Sequence, residues 1–550
     1  MLIRDQIIGI IESGLAAAQQ NGDLGNVPSP VITLEHPNRL EHGNYSSNLP
    51  LKIQGLLKMK ALDIAGILKQ YVPQHEAVNR IEVAAPGFIN FYLDDSWLAK
   101  QAKTISADKT FGAVPPRAAA AVQLEYVSAN PTGPIHVGNG RGAAIGSTLA
   151  NTFRFCGYAV QQEYYINDAG NQVAIFGETL KARYLELLGE EATLPENGYP
   201  GTYMISLAED IRERFGDDLI GSTANELGSL GIDIMVERIK ADLKELDVEF
   251  DQWFSEKTLM LPDQQYDRIM SLLHTQKQTT ERDGAVWFTS SELGESKDNV
   301  LIRSDGTPTY FASDIAYHFD KFVLRGFDRV IDIWGADHQG HVSRVKAAVD
   351  CVGGNSENLD VLLYQLVTLK RGEEIVPLSK RAGEIVTLRE VIDEVGKDAA
   401  RYFFLATGAN QTMEFDLDLA VQQSDENPVY YIQYAHARIS SILRLAIEQQ
   451  ISADDGDYSL LTHPAELNLL VSLLLFPEVV ERVLEDLAPH HLAHYARELA
   501  AVFHNFYGNC RVVQEDEPEL SKARLMLLEA TRTVLANILA LMGISAPDSM

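Results

Sequence analysis

The chain has 550 residues, 46% of them hydrophobic, which predicts three or four globular domains with sizeable cores. A net charge of −31 argues against a generally basic, polyanion-binding surface, so any nucleic-acid contact needs a local basic strip. No apolar run approaches the ~18 residues of a membrane span, and three widely separated cysteines argue against a disulfide framework or a thiolate zinc site. We therefore expect a cytoplasmic protein without membrane partners or structural zinc.

The first predicted domain spans residues 1–110 and mixes helix with strand. An amphipathic helix is predicted over 1–19, where charged residues at helical spacing argue against a signal peptide. A strand near "PVITLE", a helix over about 49–70 and strands within "NRIEVAAPGFINFYL" follow. The segment 105–120, "ISADKTFGAVPPRAAA", is a predicted linker because glycine and proline interrupt any periodic pattern.

The second predicted domain, residues 117–400, alternates strand and helix, which indicates βαβ units and a parallel sheet. Its predicted strands are "AVQLEYVSA", "VQQEYYIND", "RVIDIWGAD" and "VLLYQLVTL", and its predicted helices are 140–155, 171–189, 340–353 and "TLREVIDEVG". Residues 190–280 are charged and mostly helical in pattern, so we expect them to be an insertion. From 397 onward the pattern is helical throughout, and residues 410–550 are predicted to form a helical bundle.

The segment "SANPTGPIHVGNGRGAAIG" (128–146) follows the first strand of the second domain and leads into a helix. A glycine-rich turn before a helix N-terminus suits phosphate binding, because bare backbone and unpaired N–H groups can approach the anion. Alternatively, the glycines only allow the helix to pack closely on the strand. A dinucleotide fingerprint is met only in a relaxed form, from Gly138 to Ala143, and the Walker A pattern is absent.

Within that segment, "PIHVGN" resembles the H-x-G-H signature of class I aminoacyl-tRNA synthetases and related nucleotidylyltransferases. Its flanks resemble arginyl-tRNA synthetases in particular, as do "YYINDAGNQ", "YFASDIAYH", "GADHQGH", "PLSKRAGEIVTL" and "NPVYYIQYAHARI" further along. The chain is identified as a member of this family in its bacterial form. The resemblance implies an α/β fold: a Rossmann-like parallel-sheet catalytic domain, an α+β N-terminal domain and an all-α C-terminal helical bundle.

The implied reaction activates L-arginine with ATP, bound with Mg²⁺, and transfers it to the 3′ end of tRNA(Arg). The attacking carboxylate is already ionised, so catalysis needs positioning and charge stabilisation rather than a strong base. The resemblance assigns catalysis to His136, Asn139 and Lys380, and ATP binding to Gly138, Gly140, Gly335, Asp337, His338 and Ser379. Two positions depart from the family signatures: Asn139 replaces a histidine and cannot carry positive charge, and Pro377 replaces the first lysine of the K-M-S-K loop. Asp337 could instead cap a helix.

Binding of arginine requires acids that can pair with a guanidinium group. The resemblance points to Glu125 and Asp314, with Asn130 and Tyr310 as neutral partners. Tyr310 and Asp314 are four residues apart and share a face if that stretch is helical. Glu125 lies near the end of an apolar strand, so it is either an exposed edge residue or a buried acid that awaits a cation. Asn167 and Asp168 could orient the site or form an Asx turn.

Contacts with tRNA are expected from both terminal domains. The N-terminal domain resembles the part of the family that contacts the tRNA elbow, and Asn44 and Tyr45 are its candidates. In the bundle, unstacked anticodon bases would stack on aromatic side chains, although such side chains can equally belong to the core. The candidates there are Tyr431, His436, His504 and Tyr507. We expect a monomer.

Three other functions compete with this interpretation. A synthetase-like regulatory protein with impaired activation would explain Asn139 and Pro377. A small-molecule nucleotidylyltransferase would share the signature but has no need of the long helical region. An NAD-dependent oxidoreductase would have to rely on the relaxed glycine fingerprint.

Overall fold

The computed structural model describes residues 2–28, 30–37, 39–116, 120–261, 264–295, 297–377, 385–453 and 456–550. The N-terminal region folds around a four-stranded antiparallel sheet of order β1-β2-β4-β3. Its elements are α1 (Ile3–Gln20), β1 (Leu34–Glu35), β2 (Tyr45–Ser47), α2 (Leu49–Leu57), α3 (Ala61–Tyr71), β3 (Val78–Ala84), β4 (Phe88–Leu93) and α4 (Asp95–Ala107). The helix predicted over 49–70 is thus two helices. The break comes at Lys58, which ends α2 in a left-handed conformation with φ of 52°.

The first half of the catalytic region alternates strand and helix, as the sequence predicts. Its elements are β5 (Ala121–Tyr126), α5 (Val137–Phe155), β6 (Ala159–Ile166), α6 (Asn171–Leu187), α7 (Thr202–Phe215), α8 (Ala224–Glu245), β7 (Gln252–Ser255) and α9 (Gln265–Thr275). The expected insertion at 190–280 contains the helices α7, α8 and α9. Between α8 and α9, however, β7 returns to the main sheet beside β6. Four residues are too short a run to show a strand period, so the sequence did not indicate β7.

The second half continues with β8 (Thr279–Arg282), β9 (Ala285–Phe288), β10 (Asn299–Ile302), α10 (Tyr310–Phe319), β11 (Arg329–Gly335), α11 (Val342–Cys351), β12 (Leu359–Tyr364), β13 (Val367–Arg371), β14 (Glu374–Val376), α12 (Leu388–Val395), α13 (Lys397–Leu405), β15 (Met413–Asp416) and α14 (Leu417–Ala420). The main sheet is parallel, with order β12-β11-β5-β6-β7. Two predictions fail here. The strand "VLLYQLVTL" is split between two sheets as β12 and β13, and β15 interrupts the region predicted to be helical throughout by pairing with β13.

The C-terminal bundle consists of α15 (Pro428–Glu448), α16 (Pro464–Leu474), α17 (Phe476–Asp486), α18 (His490–Asn509) and α19 (Pro518–Leu541). One hydrophobic core runs from the parallel sheet into this bundle. The buried Arg401 on α13 reinforces the junction. Its guanidinium donates to the carbonyl oxygens of Leu246 and Met542 and to the Ser147 hydroxyl. The catalytic region and the bundle therefore share an interior.

The N-terminal region also contacts the bundle, through charged side chains. The Glu478 carboxylate on α17 accepts a 2.7 Å hydrogen bond from the Tyr45 hydroxyl and lies 3.0 Å from the His36 ring. Arg4 on α1 forms a 2.6 Å salt bridge with Glu481. These contacts hold α17 against the N-terminal sheet. Within the described residues, every helix is too short or too polar to cross a membrane.

Helix α5 packs close to its neighbours because it has glycine at positions 140, 142 and 146. A Cβ atom added at Gly146 would lie 2.2 Å from the Tyr126 ring, and one at Gly142 would lie 3.0 Å from the Tyr364 ring. A Cβ at Gly140 would lie 2.6 Å from Leu388. Most glycines of the motif after Gly138 therefore serve packing, as the alternative interpretation of the sequence proposed.

We predict that Gly146→Ala lowers the free energy of unfolding by about 1–3 kcal/mol, the usual range for overpacking a core. Tyr126 cannot easily move away, because it is fully buried and its hydroxyl is fixed to Gln162 at 2.7 Å. The matched control is Gly9→Ala in α1, where no atom lies within 4 Å of the new Cβ. That change should keep or raise stability, since alanine is a better helix former. Equal urea midpoints for the two variants would contradict the packing argument.

Candidate active site

A cavity of about 1450 Å³ opens at the carboxyl ends of the parallel strands. Residues that follow β5, β6, β11 and β12 line it, together with the N-terminus of α5 and the first turns of α10. Ligands of open α/β sheets bind at this edge. Of the predicted site residues, the lining includes Glu125, Asn130, His136, Gly138, Asn139, Tyr310, Asp314, Gly335, Asp337 and His338.

The chain turns sharply after β5. Val127 has φ of 67° and Ser128 has φ of 39°, and a left-handed conformation is costly for a β-branched residue. This turn brings the Ser128 hydroxyl back to Glu125, to which it donates a 2.9 Å hydrogen bond, and lets the same oxygen accept one from the Tyr165 N–H. The strained turn thus helps to fix an acid at the cavity wall.

His136 is the N-cap residue of α5. Its Nδ1 atom accepts a 3.0 Å hydrogen bond from the Gly138 N–H, which leaves Nε2 to carry the proton. Partial burial lowers the pKa of His136, although Asp337 opposes this effect. The ring is therefore a neutral hydrogen-bond donor near neutral pH, rather than the charged group that phosphate chemistry would favour most.

Asn139 lies one turn inside α5, where its side chain hydrogen-bonds the Tyr364 hydroxyl. It lines the cavity as predicted. Gly140 does not line it. Its Cα faces Leu388 and Phe404 instead, so the expected ATP contact at Gly140 is replaced by helix packing.

The predicted nucleotide residues after β11 also lie at the cavity. Gly335 ends the strand and precedes a short 3-10 turn over Ala336–His341. The Asp337 side chain is 82% exposed and does not cap that turn, since Gly335 is at the cap position. His338 lies between the rings of Trp334 and His341, with centroids 6.1 Å and 5.7 Å away. Asp337 is thus available to a ligand rather than used as a helix cap.

Ser379 and Lys380 lie outside the described residues, which end at Pro377 and resume at Ile385. The resumed chain is tied to the glycine motif: the Val137 N–H donates to the Val386 carbonyl, and the Leu388 N–H donates to the Ile135 carbonyl. Ile385 and Thr387 line the cavity. His136 is therefore fixed to the segment that follows the predicted lysine loop.

Asp314 supplies an acid to the cavity that has no cation within salt-bridge distance among the described residues. It lies one turn after Tyr310 on α10, so the predicted shared face is confirmed. Burial raises the pKa of Asp314 from 3.8 to about 7, with His318 opposing. Tyr310 is 51% exposed at the rim, and Asn130 is also exposed. A cationic ligand would relieve the cost of ionising Asp314.

Glu125 differs from both sequence-based interpretations. It is buried rather than exposed at an edge, and it already has a cation, since the Lys321 ammonium lies 2.6 Å from its carboxylate. The sequence analysis missed this lysine. Lys321 also pairs with Asp332 at 2.8 Å, and the Asp332 carboxylate accepts a hydrogen bond from the His318 ring at the same distance.

The sequence analysis also missed Gln172 and Glu256, whereas it named Asn167 as a residue that could orient the site. Buried side-chain atoms of Asn167, Gln172 and Glu256 have no hydrogen-bond partner within the described residues: Oδ1, Nε2 and Oε2 respectively. Burial raises the pKa of Glu256. Asp168 instead accepts hydrogen bonds from the Ser255 hydroxyl and the Lys257 N–H, so it links β6 to β7 rather than forming an Asx turn into α6. The three unpartnered atoms give this wall capacity for a polar ligand.

The insertion contributes the cavity's other new side chains. Tyr199 and Tyr203 line it, and the Tyr203 hydroxyl donates a 2.8 Å hydrogen bond to the carbonyl oxygen of Thr132 in the glycine motif. The insertion therefore helps to build the site, although its sequence gave no functional signal.

The tRNA candidates divide into two groups. Tyr45 is 2% exposed, and its hydroxyl donates a hydrogen bond to Glu478. The Asn44 side chain accepts a hydrogen bond from the Leu93 N–H. His436 is buried, and its ring hydrogen-bonds the Pro547 carbonyl. These three have structural roles, which corrects the prediction of contacts with RNA.

The remaining candidates lie together on α15 and α18. The Tyr431 and His504 ring centroids are 4.6 Å apart, and Tyr507 is 39% exposed. Arg438 lies over the ring of Tyr507 and over that of Tyr434, at 5.2 Å and 5.1 Å. A cation that lies between aromatic rings forms, together with them, a surface on which nucleic-acid bases can stack.

Comparisons with known proteins agree with this architecture. Residues 103–424 match a model of the catalytic domain of class I tRNA synthetases (R), residues 5–93 match the arginyl tRNA synthetase N terminal domain, and residues 432–550 match the DALR anticodon binding domain. The chain is 50% identical to the arginine–tRNA ligase of Dehalococcoides mccartyi over 100% of this chain and 99% of the relative. It is 47% identical to that of Carboxydothermus hydrogenoformans over 99% of both chains.

A solved structure agrees as well. A Campylobacter jejuni protein described as an arginyl-tRNA synthetase superposes with a TM-score of 0.76 and 34% identity, covering 83% of this chain and 100% of the other. The parallel sheet, the cavity at its carboxyl edge and the matched models together place this chain in the arginyl-tRNA synthetase family of class I aminoacyl-tRNA synthetases.

Proposed function

We propose how the cavity divides the work of an ATP-dependent ligase that joins arginine to tRNA(Arg). The arginine side chain enters toward Asp314, and ATP, with its Mg²⁺, lies along the N-terminus of α5. The carboxylate oxygen of arginine attacks the α-phosphorus, the bond from that phosphorus to the bridging oxygen breaks, and pyrophosphate leaves. The observation that carries this proposal is the half-buried carboxylate of Asp314, which lines the cavity and has no cation within salt-bridge distance in the described part of the chain.

On the phosphate side, His136 donates through Nε2–H, and the positive end of the α5 dipole faces the nucleotide. Gly138, Gly335, Asp337 and His338 complete the proposed ATP site, with the ribose placed near Asp337. Because His136 is neutral, positive charge for the leaving pyrophosphate has to come from Mg²⁺ and from Lys380, with Ser379 next to it in the sequence.

On the arginine side, Asp314 and Glu125 face the guanidinium, and Tyr310 and Asn130 offer neutral hydrogen bonds. Asp314 is the stronger attractor, because Lys321 already neutralises Glu125 in part. A planar guanidinium can bond two acids at once, whereas the ammonium group of lysine is a point charge. This geometry favours arginine over lysine.

For tRNA, we propose that the bundle (410–550) binds the anticodon through Tyr431, His504 and Tyr507, with Arg438 as the cation of this surface. The N-terminal domain (1–110) would contact the elbow through exposed residues other than Tyr45. The catalytic domain (117–400) would receive the 3′ end beside the unpartnered side-chain atoms of Asn167, Gln172 and Glu256. We further propose a cytoplasmic monomer without structural zinc.

The direct test is arginine-dependent exchange between ATP and pyrophosphate, measured with cognate tRNA present because the family usually needs it for activation. We expect exchange that depends on both arginine and tRNA. A well-folded protein that binds tRNA but shows no exchange would support the alternative of a regulatory relative, in which Asn139 and Pro377 have weakened activation.

Asp314→Asn should raise the KM for arginine by roughly one to two orders of magnitude, since a charged hydrogen bond contributes about 1.5–3 kcal/mol.

The same variant, Asp314→Asn, should be more stable than the parent at pH 8. The folded parent must then ionise a buried acid with a pKa of about 7, whereas the unfolded chain ionises it near 3.8. This penalty is absent at pH 3 and grows as the pH rises to 7. An unchanged KM would remove Asp314 from the arginine site, and equal melting temperatures at pH 8 would contradict its burial.

His136→Ala should lower kcat far more than Asn139→Ala does. His136 donates to the nucleotide and caps α5, whereas Asn139 is held by Tyr364. Asn139→His should be tolerated, because it restores the residue common at this position of the signature. Single-turnover formation of the adenylate would measure the three rates. Equal losses from the two alanine variants would contradict this division of roles.

A further inference from the structure

Three acids lie side by side across the centre of the parallel sheet. In the strand register, Asp332 of β11 lies opposite Glu125 of β5, and Glu125 lies opposite Glu163 of β6. All three are buried: Asp332 and Glu163 at 0% exposure and Glu125 at 6%. Neighbouring carboxylates in a buried environment repel one another and cannot stay ionised without cations.

The cations come from one short segment after α10. Lys321 pairs with Glu125 at 2.6 Å and with Asp332 at 2.8 Å. Arg325, one turn later, forms a bidentate pair with Glu163. Arg325 therefore serves one acid of the row, while Lys321 is shared between two.

Only one of the acids paired by these two cations faces the cavity. Glu125 lines it, whereas Glu163 and Asp332 do not. Within the described residues, Lys321 is the single cation within salt-bridge distance of Glu125. The other carboxylate oxygen is held by the Ser128 hydroxyl at 2.9 Å. Lys321 therefore holds one oxygen of this acid from outside the cavity, whereas Ser128, which holds the other, lines the cavity.

The same cluster reaches Asp314. The His318 ring joins the carboxylate of Asp332, at 2.8 Å, to the backbone carbonyl of Asp314, at 2.7 Å. The two acids assigned to the guanidinium thus share one buried network with Lys321 at its centre.

We propose that Lys321 is a positioning residue for arginine: its ammonium group holds the Glu125 carboxylate in place and in its charged form, from a side that the substrate never touches. This inference rests on the proposed arginine site. Without Lys321, burial and the neighbouring Asp332 would both favour the protonated, neutral form of Glu125. The cavity would then lose the negative charge of Glu125, although the changed residue, Lys321, does not itself contact the substrate.

The test uses Lys321→Met in the full-length protein, which keeps the length of the side chain and removes its charge. In the exchange assay with tRNA, the KM for arginine should rise about tenfold or more at pH 7, as for the loss of a charged hydrogen bond. The KM for ATP should not change. The difference in arginine KM between variant and parent should shrink as the pH rises from 6 to 9, because Glu125 then loses its proton.

Several groups face Glu125 and titrate or carry charge near it: Lys321, Asp332, Glu163, Asp314, Tyr317 and Tyr165. The Lys321→Met variant contains all of these groups except Lys321, so the difference between its profile and that of the parent isolates the effect on Glu125. A merely structural lysine would lower stability without moving this profile.

The matched control is Arg325→Met. It removes the cation of the adjacent acid in the same row, from the same segment, but leaves Glu125 with its partner. It should lower stability and leave the KM for arginine unchanged. Equal rises in arginine KM from the two variants, or an unchanged KM in folded Lys321→Met, would overturn the proposal.

If Lys321→Met does not fold, Lys321→Met with Asp332→Asn removes the acid that the first change leaves unpaired. Its arginine KM should lie between those expected for the parent and the single variant, because Asp332 no longer opposes ionisation of Glu125. A parental KM and pH profile in this double variant would overturn the proposal. Absence of arginine-dependent exchange in the parent would instead overturn the proposed function.

Discussion

The fold around the active site depends on a row of like charges in the middle of its sheet. Three adjacent parallel strands each place an acid at the same level, which is unfavourable unless cations are held against the row. The segment after α10 supplies both, and it can do so only if α10 ends over the sheet at that point. The same segment directly follows α10, whose first turns present Tyr310 and Asp314 to the cavity. The cations of the row and this part of the cavity wall therefore belong to one continuous stretch of chain.

A second constraint acts on the opposite wall, where α5 lies close to the sheet. Glycines at 140, 142 and 146 let the helix approach side chains that would clash with any Cβ. The buried guanidinium of Arg141 then locks the helix by donating to the carbonyl oxygens of Gln365, Gln411 and Gly408. The result is a helix whose N-terminus faces the cavity from a fixed place. In this motif, helix packing and the proposed phosphate binding would both depend on the same bare surface.

The sequence predicted those parts of the molecule that repeat or that lie close together along the chain. Strand and helix alternation gave the parallel sheet, and the four-residue spacing of Tyr310 and Asp314 gave their shared face. Lys321 could not be found in this way. Its acid partner lies 196 residues away, and a lysine after an amphipathic helix looks like an ordinary surface residue. Tyr45 and His436 failed for a related reason: residue type alone does not distinguish a ring that packs from one that binds. Four-residue strands such as β7 and β15 were missed because their pairing partners, rather than their own composition, make them strands.

The hydrogen bonds of Arg401 bear on how independent the parts of this enzyme are. Its guanidinium is satisfied by one acceptor after the insertion helix, one on α5 and one beyond the last helix of the bundle. A catalytic fragment cut away from the bundle would leave this buried cation without the Met542 carbonyl and would expose the core that both parts share. The segments matched by the catalytic-domain and anticodon-binding-domain models are thus not independent modules in this chain. A shift of the bundle when it meets its RNA would be felt directly at α5, the helix that carries His136.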